Sequence, residues 1–538
     1  MAAPAIAFDQ DTTVATRRMQ ELLERQRRAS LDQGPPSADV RIGRLDRLIA
    51  SVIEHEARIV EALAEDFGHR SPDTSRWTDV AMIIEGAKYC KKHVREWMKP
   101  ERRSAVFPLG LLGGRAEIRH QPLGVVGIVS PWNFPVYLAL SPLAGVLSAG
   151  NRAIIKPSEV APATAEVLGD VVRKAFDELE VSVVTGGAEV GAAFARLPFD
   201  HLVFTGGTAI ARHVMRAAAD NLVPLTLELG GKCPVIVGKN ASVKDVAFKV
   251  MNAKCLNAGQ VCLAPDYILV PRERQAELVD ALRGALASMY DGLRDNPDYT
   301  SVINERHRKR IQSYLDDART KGAELVELNP RSESFDGQKA NKMPPTLVLN
   351  ATDEMAIMKE EIFGPAMPIK PYGRIDEAIG YVNAHARPLA LYYFGNDADE
   401  RERVLTHTTS GGVTVNDVMM HIVQEDLPFG GVGPSGMGAY HGREGFLRFS
   451  HAKSIYTQTK IDALGKMLRP PFGTAFRRFV ASMIKPDSPP PPDSPRPRCP
   501  RQLSWSGATP RVSFSRCLRH VGCGSCAVHI GPPVAHAT

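Results

Sequence analysis

The 538-residue chain lacks the regular cysteine spacing of a disulfide framework: Cys90, Cys233, Cys255 and Cys262 are scattered through its body. No basic-then-apolar leader opens the sequence, so a reducing, cytoplasmic setting is the expectation. The body also lacks a basic stripe. Of the net charge of +6, six arginines and two aspartates beyond Lys485 contribute +4, which leaves the rest almost neutral and argues against a nucleic-acid partner. One charge-free run, LGVVGIVSPWNFPVYLALSPLAGVLSAG at residues 123–150, is long enough to span a bilayer. Pro131, Asn133, Pro135 and Pro142 would break a membrane helix repeatedly and the first part is β-rich, so a buried strand, a turn and a helix are expected instead.

What is present is alternation. A chain of 538 residues exceeds the size at which a single core stops growing, so two or three structural units are expected. Its 44% hydrophobic and 23% charged residues are ordinary globular values. The segment MQELLERQRRAS predicts a helix ending near Gly34-Pro35-Pro36. Leu45, Leu48, Ile49, Val52, Ile59 and Leu63 predict a second. GVVGIVS, RAIIKPS, VSVVTGG and HLVFTGG are short Val- and Ile-rich runs, separated by intervals long enough for crossover helices such as ATAEVLGDVVRKAF. Strands spaced in this way predict a parallel, doubly wound α/β sheet. After LTLELGGKCPVIVG the pattern restarts with CLNAGQVCLAPDYILV, a helix near AELVDALRGALASM and the run SGGVTVND. A second α/β unit follows, with a ligand cleft between the two. Beyond Lys485, PDSPPPPDSPRPRCPRQ is proline-rich and the remainder has no Glu or Lys, so a disordered extension is expected.

Doubly wound sheets bind ligands where their strand ends converge. LVFTGGTAIAR supplies Gly206 and Gly207 between a strand and a helix, where bare backbone lets a pyrophosphate reach the helix N-terminus. GxGxxG is missing from this turn, and a plain glycine turn accounts for it equally well. RAIIKPSE places Lys156 and Glu159 at a strand end; either can bond ribose hydroxyls, and the carboxylate would disfavour a ribose phosphate. A solvated charged turn is the alternative. In LELGGK, Glu228 lies between leucines, and desolvation there would raise its pKa toward the range of a general base; a glutamate ion-paired on an edge strand is the competing reading. A lone cysteine is usually inert packing. For Cys262, Gly259, Pro265 and the nearby strand-to-turn positions of Glu228 and Asn133 favour a nucleophile, with the Asn133 amide and the Cys262 N–H as oxyanion donors. Adjacent Glu360 and Glu361 point to opposite faces of an extended segment, so at most one serves a site.

In this order, PWNFP, KPSE, FTGGT, LELGGK, NAGQVC, EEIFGP and LPFGGVGPSGMGAYHGREGF resemble the aldehyde dehydrogenase superfamily over roughly residues 15–485. NAGQVCLAPDY and SGMGAYHGREGFLRFSH resemble its class 3 and coniferyl aldehyde dehydrogenase branch, and RHQPLGVVGIVSPWNFPVYLAL leans to the coniferyl type. The resemblance implies a Rossmann-type NAD-binding domain over 15–229, interrupted by a bridging hairpin near 102–121. It also implies a second α/β catalytic domain over 230–418, a return to the cofactor and oligomerisation region over 419–485, and a homodimer. It implies NAD, with NADP as an alternative, and oxidation of an aldehyde, aromatic by the coniferyl-type likeness. Cys262 would attack as thiolate and Asn133 hold the oxyanion. Glu228 would activate the hydrolytic water on the thioester. Lys156 and Glu159 match adenosine-ribose contacts, Glu361 the nicotinamide-ribose ligand and Phe363 the residue packing near it.

Three positions depart from the family pattern: the turn reads FTGGT, Ala211 replaces a glycine, and Val261 precedes the nucleophile where threonine is common. In the tail, His520, Cys523, Cys526 and His529 are spaced unlike a common zinc finger, and no metal site is expected. Rival functions are oxidation of medium- or long-chain aliphatic aldehydes, a CoA-acylating relative, which usually lacks the glutamate found here as Glu228, and a binding or structural protein that keeps the fold without the chemistry.

Overall fold

The Val- and Ile-rich runs become buried strands in a computed structural model of the chain, which describes residues 10–484 apart from 108 and 461. Val125–Val129, Arg152–Lys156, Val181–Val183, His201–Gly206 and Leu225–Leu229 form one sheet in which neighbouring strands are parallel. The first of these strands lies in the middle, with the next two to one side and the last two to the other. The winding therefore reverses between Val125–Val129 and His201–Gly206, and the loops leaving the carboxyl ends of those two strands open a crevice. A sixth strand, Gly436–Met437, pairs antiparallel with Leu225–Leu229 and sets Gly436 opposite Glu228.

The second sheet begins five residues after the first set ends. Its order is Glu324–Glu327, Thr346–Leu349, Ala366–Tyr372, Tyr267–Pro271, Pro234–Val237, Ala390–Phe394, Gly412–Val415, and only the first pair is antiparallel. A third, three-stranded antiparallel sheet joins Glu101–Arg103, Arg115–Pro122 and Ser450–Thr457.

The charge-free run of the sequence forms the strand Val125–Val129 and the helix Tyr137–Ala149, which is buried except at Ser141. A helix apolar on every side belongs in an interior, and this one packs against the first sheet and the helices Ala38–Glu54, Met82–Trp97 and Gly442–Arg448. Among the described residues no helix is long and apolar enough to cross a membrane. A single hydrophobic cluster takes in Val126 and Ile155 of the first sheet together with Val235, Ile268 and Tyr392 of the second.

One predicted element is corrected. The apolar stripe from Leu45 to Leu63 is carried by two helices, Ala38–Glu54 and Glu56–Phe67, because His55 leaves the helical region at φ −99°, ψ 7°. Its ring Nδ1 bonds the Ser51 carbonyl at 2.8 Å. Both helices bury their apolar faces, so the stripe runs unbroken across the joint.

The chain divides into two compact units, Met1–Ile461 and Asp462–Thr538. The second holds, among the described residues, the helices Ala463–Met467 and Thr474–Met483. The expected disordered extension 486–538, with its Cys/His quartet, lies outside the described residues.

Candidate active site

Helix Val243–Cys255 runs into a turn in which Asn257, Ala258 and Gly259 all take left-handed backbone angles, at φ 49°, 52° and 73°. Glycine is required at the last of these, since a Cβ there would overlap the Gly364 carbonyl. Asn tolerates this conformation, but Ala258 is strained by roughly 1–3 kcal/mol and persists only because its surroundings fix it. Gln260 does the fixing: its Nε2 donates to Asn257 O (2.8 Å) and Ser301 O (3.0 Å), while its Oε1 accepts from Ile303 N (2.9 Å). The turn presents Cys262, partly buried, to a cavity of about 750 Å³.

Seven of the nine residues given catalytic or cofactor roles in the sequence line that cavity: Cys262, Glu228, Asn133, Gly206, Gly207, Glu361 and Phe363. Glu159 lines a second cavity, of about 500 Å³, together with Gly186 and Arg173. Lys156 lines neither. It ends an interior strand and is buried, its ammonium donating to Pro157 O at 2.8 Å and to Glu159 Oε2 at 3.0 Å. The lysine thus lies beneath Glu159, at the strand end where the sequence put it.

Glu228 is not on an edge, because Gly436–Met437 closes that side of the sheet. Nor does it sit in an ion pair. It is 1% exposed, and neither carboxyl oxygen has a partner at full hydrogen-bond geometry, although the Cys262 thiol lies beside it. Its pKa is pushed up to about 8, by burial first and by the charge of Glu361, against the thiol, which lowers it. Glu361 is raised to about 7, chiefly by burial, against a bond its Oε1 accepts from Gly231 N at 3.1 Å. Gly230 packs so closely on this carboxyl that a Cβ would overlap it. The Cys262 thiol is raised well above its ordinary value by burial first and then by Glu228 and Glu361. The resting thiol therefore keeps its proton, with a carboxyl of unusually high proton affinity next to it to take that proton or one from water.

Several lining residues were given no role in the sequence. Trp132 packs on His307 (ring centroids 4.7 Å apart) and edge-on to Phe363 (5.3 Å). Arg310 Nη1 and Nη2 reach the carbonyls of Glu361 and Phe363 at 3.4 Å each. Trp132 is inside PWNFP, but a lone His307 at the start of helix Glu305–Thr320 carries no local signal. Across the cavity, Gly207 caps helix Thr208–Ala219, and a Cβ there would meet nothing within 4 Å. That bare helix N-terminus, open to the cavity at the reversal of winding, fits the pyrophosphate of a dinucleotide. Ala211, where the family has glycine, points inward at 1% exposure and leaves the turn intact. Among the described residues no cluster of three or more His, Cys, Asp or Glu could hold a metal.

Residues 23–455 match the model of the aldehyde dehydrogenase family. A protein named as a probable coniferyl aldehyde dehydrogenase from Caulobacter vibrioides is 54% identical over 469 residues, which cover 87% of this chain and 97% of the relative. The fold matches the substrate-bound AldH of Staphylococcus aureus with a TM-score of 0.81 at 34% identity, over 86% of this chain and 99% of that one. It also matches an aldehyde dehydrogenase of Mycobacterium tuberculosis solved with NAD+, with a TM-score of 0.73 at 27% identity, over 84% and 91% of the two chains. The family match spans most of the chain, including the partly buried Cys262 thiol and the Glu228 and Glu361 carboxyls of the cavity, and the chain is a member of the aldehyde dehydrogenase family.

Proposed function

We propose that the protein oxidises an aromatic aldehyde of the coniferyl type to its carboxylic acid, with a water molecule releasing the acyl group from Cys262. The observation that carries this reading is the Cys262 thiol lying beside the buried Glu228 carboxyl at one cavity. Cys262 Sγ bonds to the carbonyl carbon after its proton leaves. The developing oxyanion is held by the Asn133 side-chain amide and the Cys262 N–H. The nicotinamide cofactor supplies the hydride acceptor, and the acyl group then stays on sulfur as a thioester. Glu228 takes a proton from water, which attacks the acyl carbon and frees the acid. Its presence favours water over CoA as the acyl acceptor.

Gly206 and Gly207 would receive the pyrophosphate, Glu361 and Phe363 the nicotinamide ribose, and Glu159, steadied by Lys156, the adenosine ribose. The Glu159 side chain is 47% exposed, and its charge would repel a phosphate on that ribose, so NAD is preferred over NADP. The first sheet then belongs to a cofactor-binding half and Cys262 to a catalytic half. A homodimer is part of the same reading, supported by Val106, Phe107 and Leu111 at the tip of the 103–115 hairpin, which are 74%, 76% and 80% exposed. So is a cytoplasmic setting, supported by the free thiols of the four body cysteines.

The test is a panel of aromatic and straight-chain aldehydes with NAD and with NADP, read as absorbance of the reduced cofactor. Coniferyl aldehyde with NAD is expected to give a kcat/KM at least about tenfold above hexanal, the scale on which an apolar pocket discriminates; the reverse order would overturn the substrate assignment. Cys262→Ala is expected to abolish turnover while NAD still raises its melting temperature. Retained turnover would remove Cys262 from its role.

A further inference from the structure

Arg70 and Asp79 form an ion pair 2.6 Å apart with both side chains wholly shielded from water. Such a pair is no obvious source of stability, because apolar residues of similar volume often serve as well or better. Its surroundings suggest another use. The guanidinium is held between the rings of Phe67 and Phe134, 4.8 and 4.9 Å from their centroids. Arg70 Nη2 binds Asp79 Oδ2, with the Thr78 hydroxyl at 3.3 Å, and Nη1 donates to the main-chain carbonyl of Asn133 at 2.8 Å. Asp79 Oδ1 accepts from Tyr137 N at 3.1 Å, at the first residue of helix Tyr137–Ala149, where a carboxylate suits the helix end. The pair therefore grips the loop after strand Val125–Val129 at two points, four residues apart.

The same Asn133 carbonyl also accepts from Asn257 Nδ2 at 3.0 Å, on the turn that presents Cys262. The Asn133 amide in turn donates to Gln260 O at 3.2 Å. Main chain and side chain of Asn133 are thus fixed from both walls of the cleft. We propose that Arg70, locked by Asp79, is a positioning residue that holds the Asn133 amide in register with Cys262, so that the oxyanion forms within its reach. This rests on the reading of Asn133 as the oxyanion donor, and the experiment separates the two claims.

The probe is p-nitrophenyl acetate, which acylates a thiolate through the same kind of tetrahedral oxyanion without hydride transfer; nitrophenolate release is followed by stopped flow. Asn133→Ala keeps the carbonyl that Arg70 binds and is expected to slow acylation on the order of 10²-fold. The neutral pair Arg70→Met/Asp79→Asn leaves no orphaned charge and keeps an acceptor for Tyr137 N. It is expected to slow acylation about tenfold, since a misplacement of about 1 Å can cost up to about 10²-fold. In the Asn133→Ala background it should add less than about twofold, the mark of two residues acting through one contact. The dissociation constant for NAD, read by tryptophan quenching, should stay within about twofold. Should the neutral pair not fold, Arg70→Lys, which keeps the charge on Asp79 with a single ammonium, is read against the same predictions. Parental acylation in the Arg70 variants, or a full additional loss in the Asn133→Ala background, would overturn the positioning role alone. Parental acylation by Asn133→Ala would overturn the oxyanion reading and the positioning role with it.

Discussion

A carboxyl that keeps its proton to about pH 8 becomes a base only as pH climbs, and Glu228 is such a group. Deacylation is expected to rise with pH through the neutral range and level off above about 8. Glu228→Gln should flatten that profile and slow deacylation roughly 10²- to 10⁴-fold, the span of general-base catalysis, so that a burst of NADH precedes a slow steady state; a wild-type steady rate would refute the assignment. The same residue couples the site to stability. Its pKa is near 4.5 in the unfolded chain and about 8 in the fold, so its contribution is fully present below 4.5 and is lost as pH rises toward 8. Relative to the parent, Glu228→Gln is expected to gain stability between those limits, read as denaturant midpoints at about pH 5 and pH 9. A constant difference would contradict the shift. Glu228, Cys262 and Asn133 were legible in the sequence because each stands next to its own turn signal: LELGG, NAGQVC, SPWNFP. Arg70 and Asp79 were not, since what joins them to the site is a carbonyl 63 residues from Arg70, and no local pattern encodes it. That Lys156 is buried beneath Glu159 was not legible, because a lysine suggests solvent while its strand lies between two others.

At the scale of elements, the turn of left-handed residues before Cys262 has little slack. Gly259→Ala would need φ 73° and would press its Cβ against the Gly364 carbonyl. A loss of more than about 1 kcal/mol is expected from the backbone alone, together with a fall in kcat, because Gly364 belongs to the segment that carries Glu361 and Phe363. Thermal melting and steady-state kinetics test both, and an unchanged melting temperature with full activity would show that the turn can relax. The parallel strands of the first sheet were readable as short Val- and Ile-rich runs ending in Gly, Pro or Ser. The break at His55 was not, because burial continues across it and periodicity follows burial rather than backbone angle. The pairing of Ser450–Thr457 with Arg115–Pro122 was equally hidden, since register between strands more than 300 residues apart leaves no local trace.

For the molecule as a whole, two α/β sheets were foreseeable from alternation alone, but their shared hydrophobic cluster was not. Such fusion is expected to make the two halves melt in one transition, which calorimetry checks as agreement of the calorimetric and van't Hoff enthalpies. The lining of the main cavity ends at Pro434 and the family match at residue 455. Removal of residues 486–538 is therefore expected to leave turnover and melting temperature unchanged, measured on the shortened chain beside the full one. A drop of several degrees or loss of most activity would give the tail a role.

The short strand Gly436–Met437 lies against the rung that holds Glu228, although the two are more than 200 residues apart in the chain. A ribosome that has released the first 400 residues has already synthesised the thiol, the amide and both carboxyls of the cleft. The rung beside the base has yet to emerge, so the sheet that holds Glu228 is completed late, and long-range pairing of this kind is the slow part of assembly.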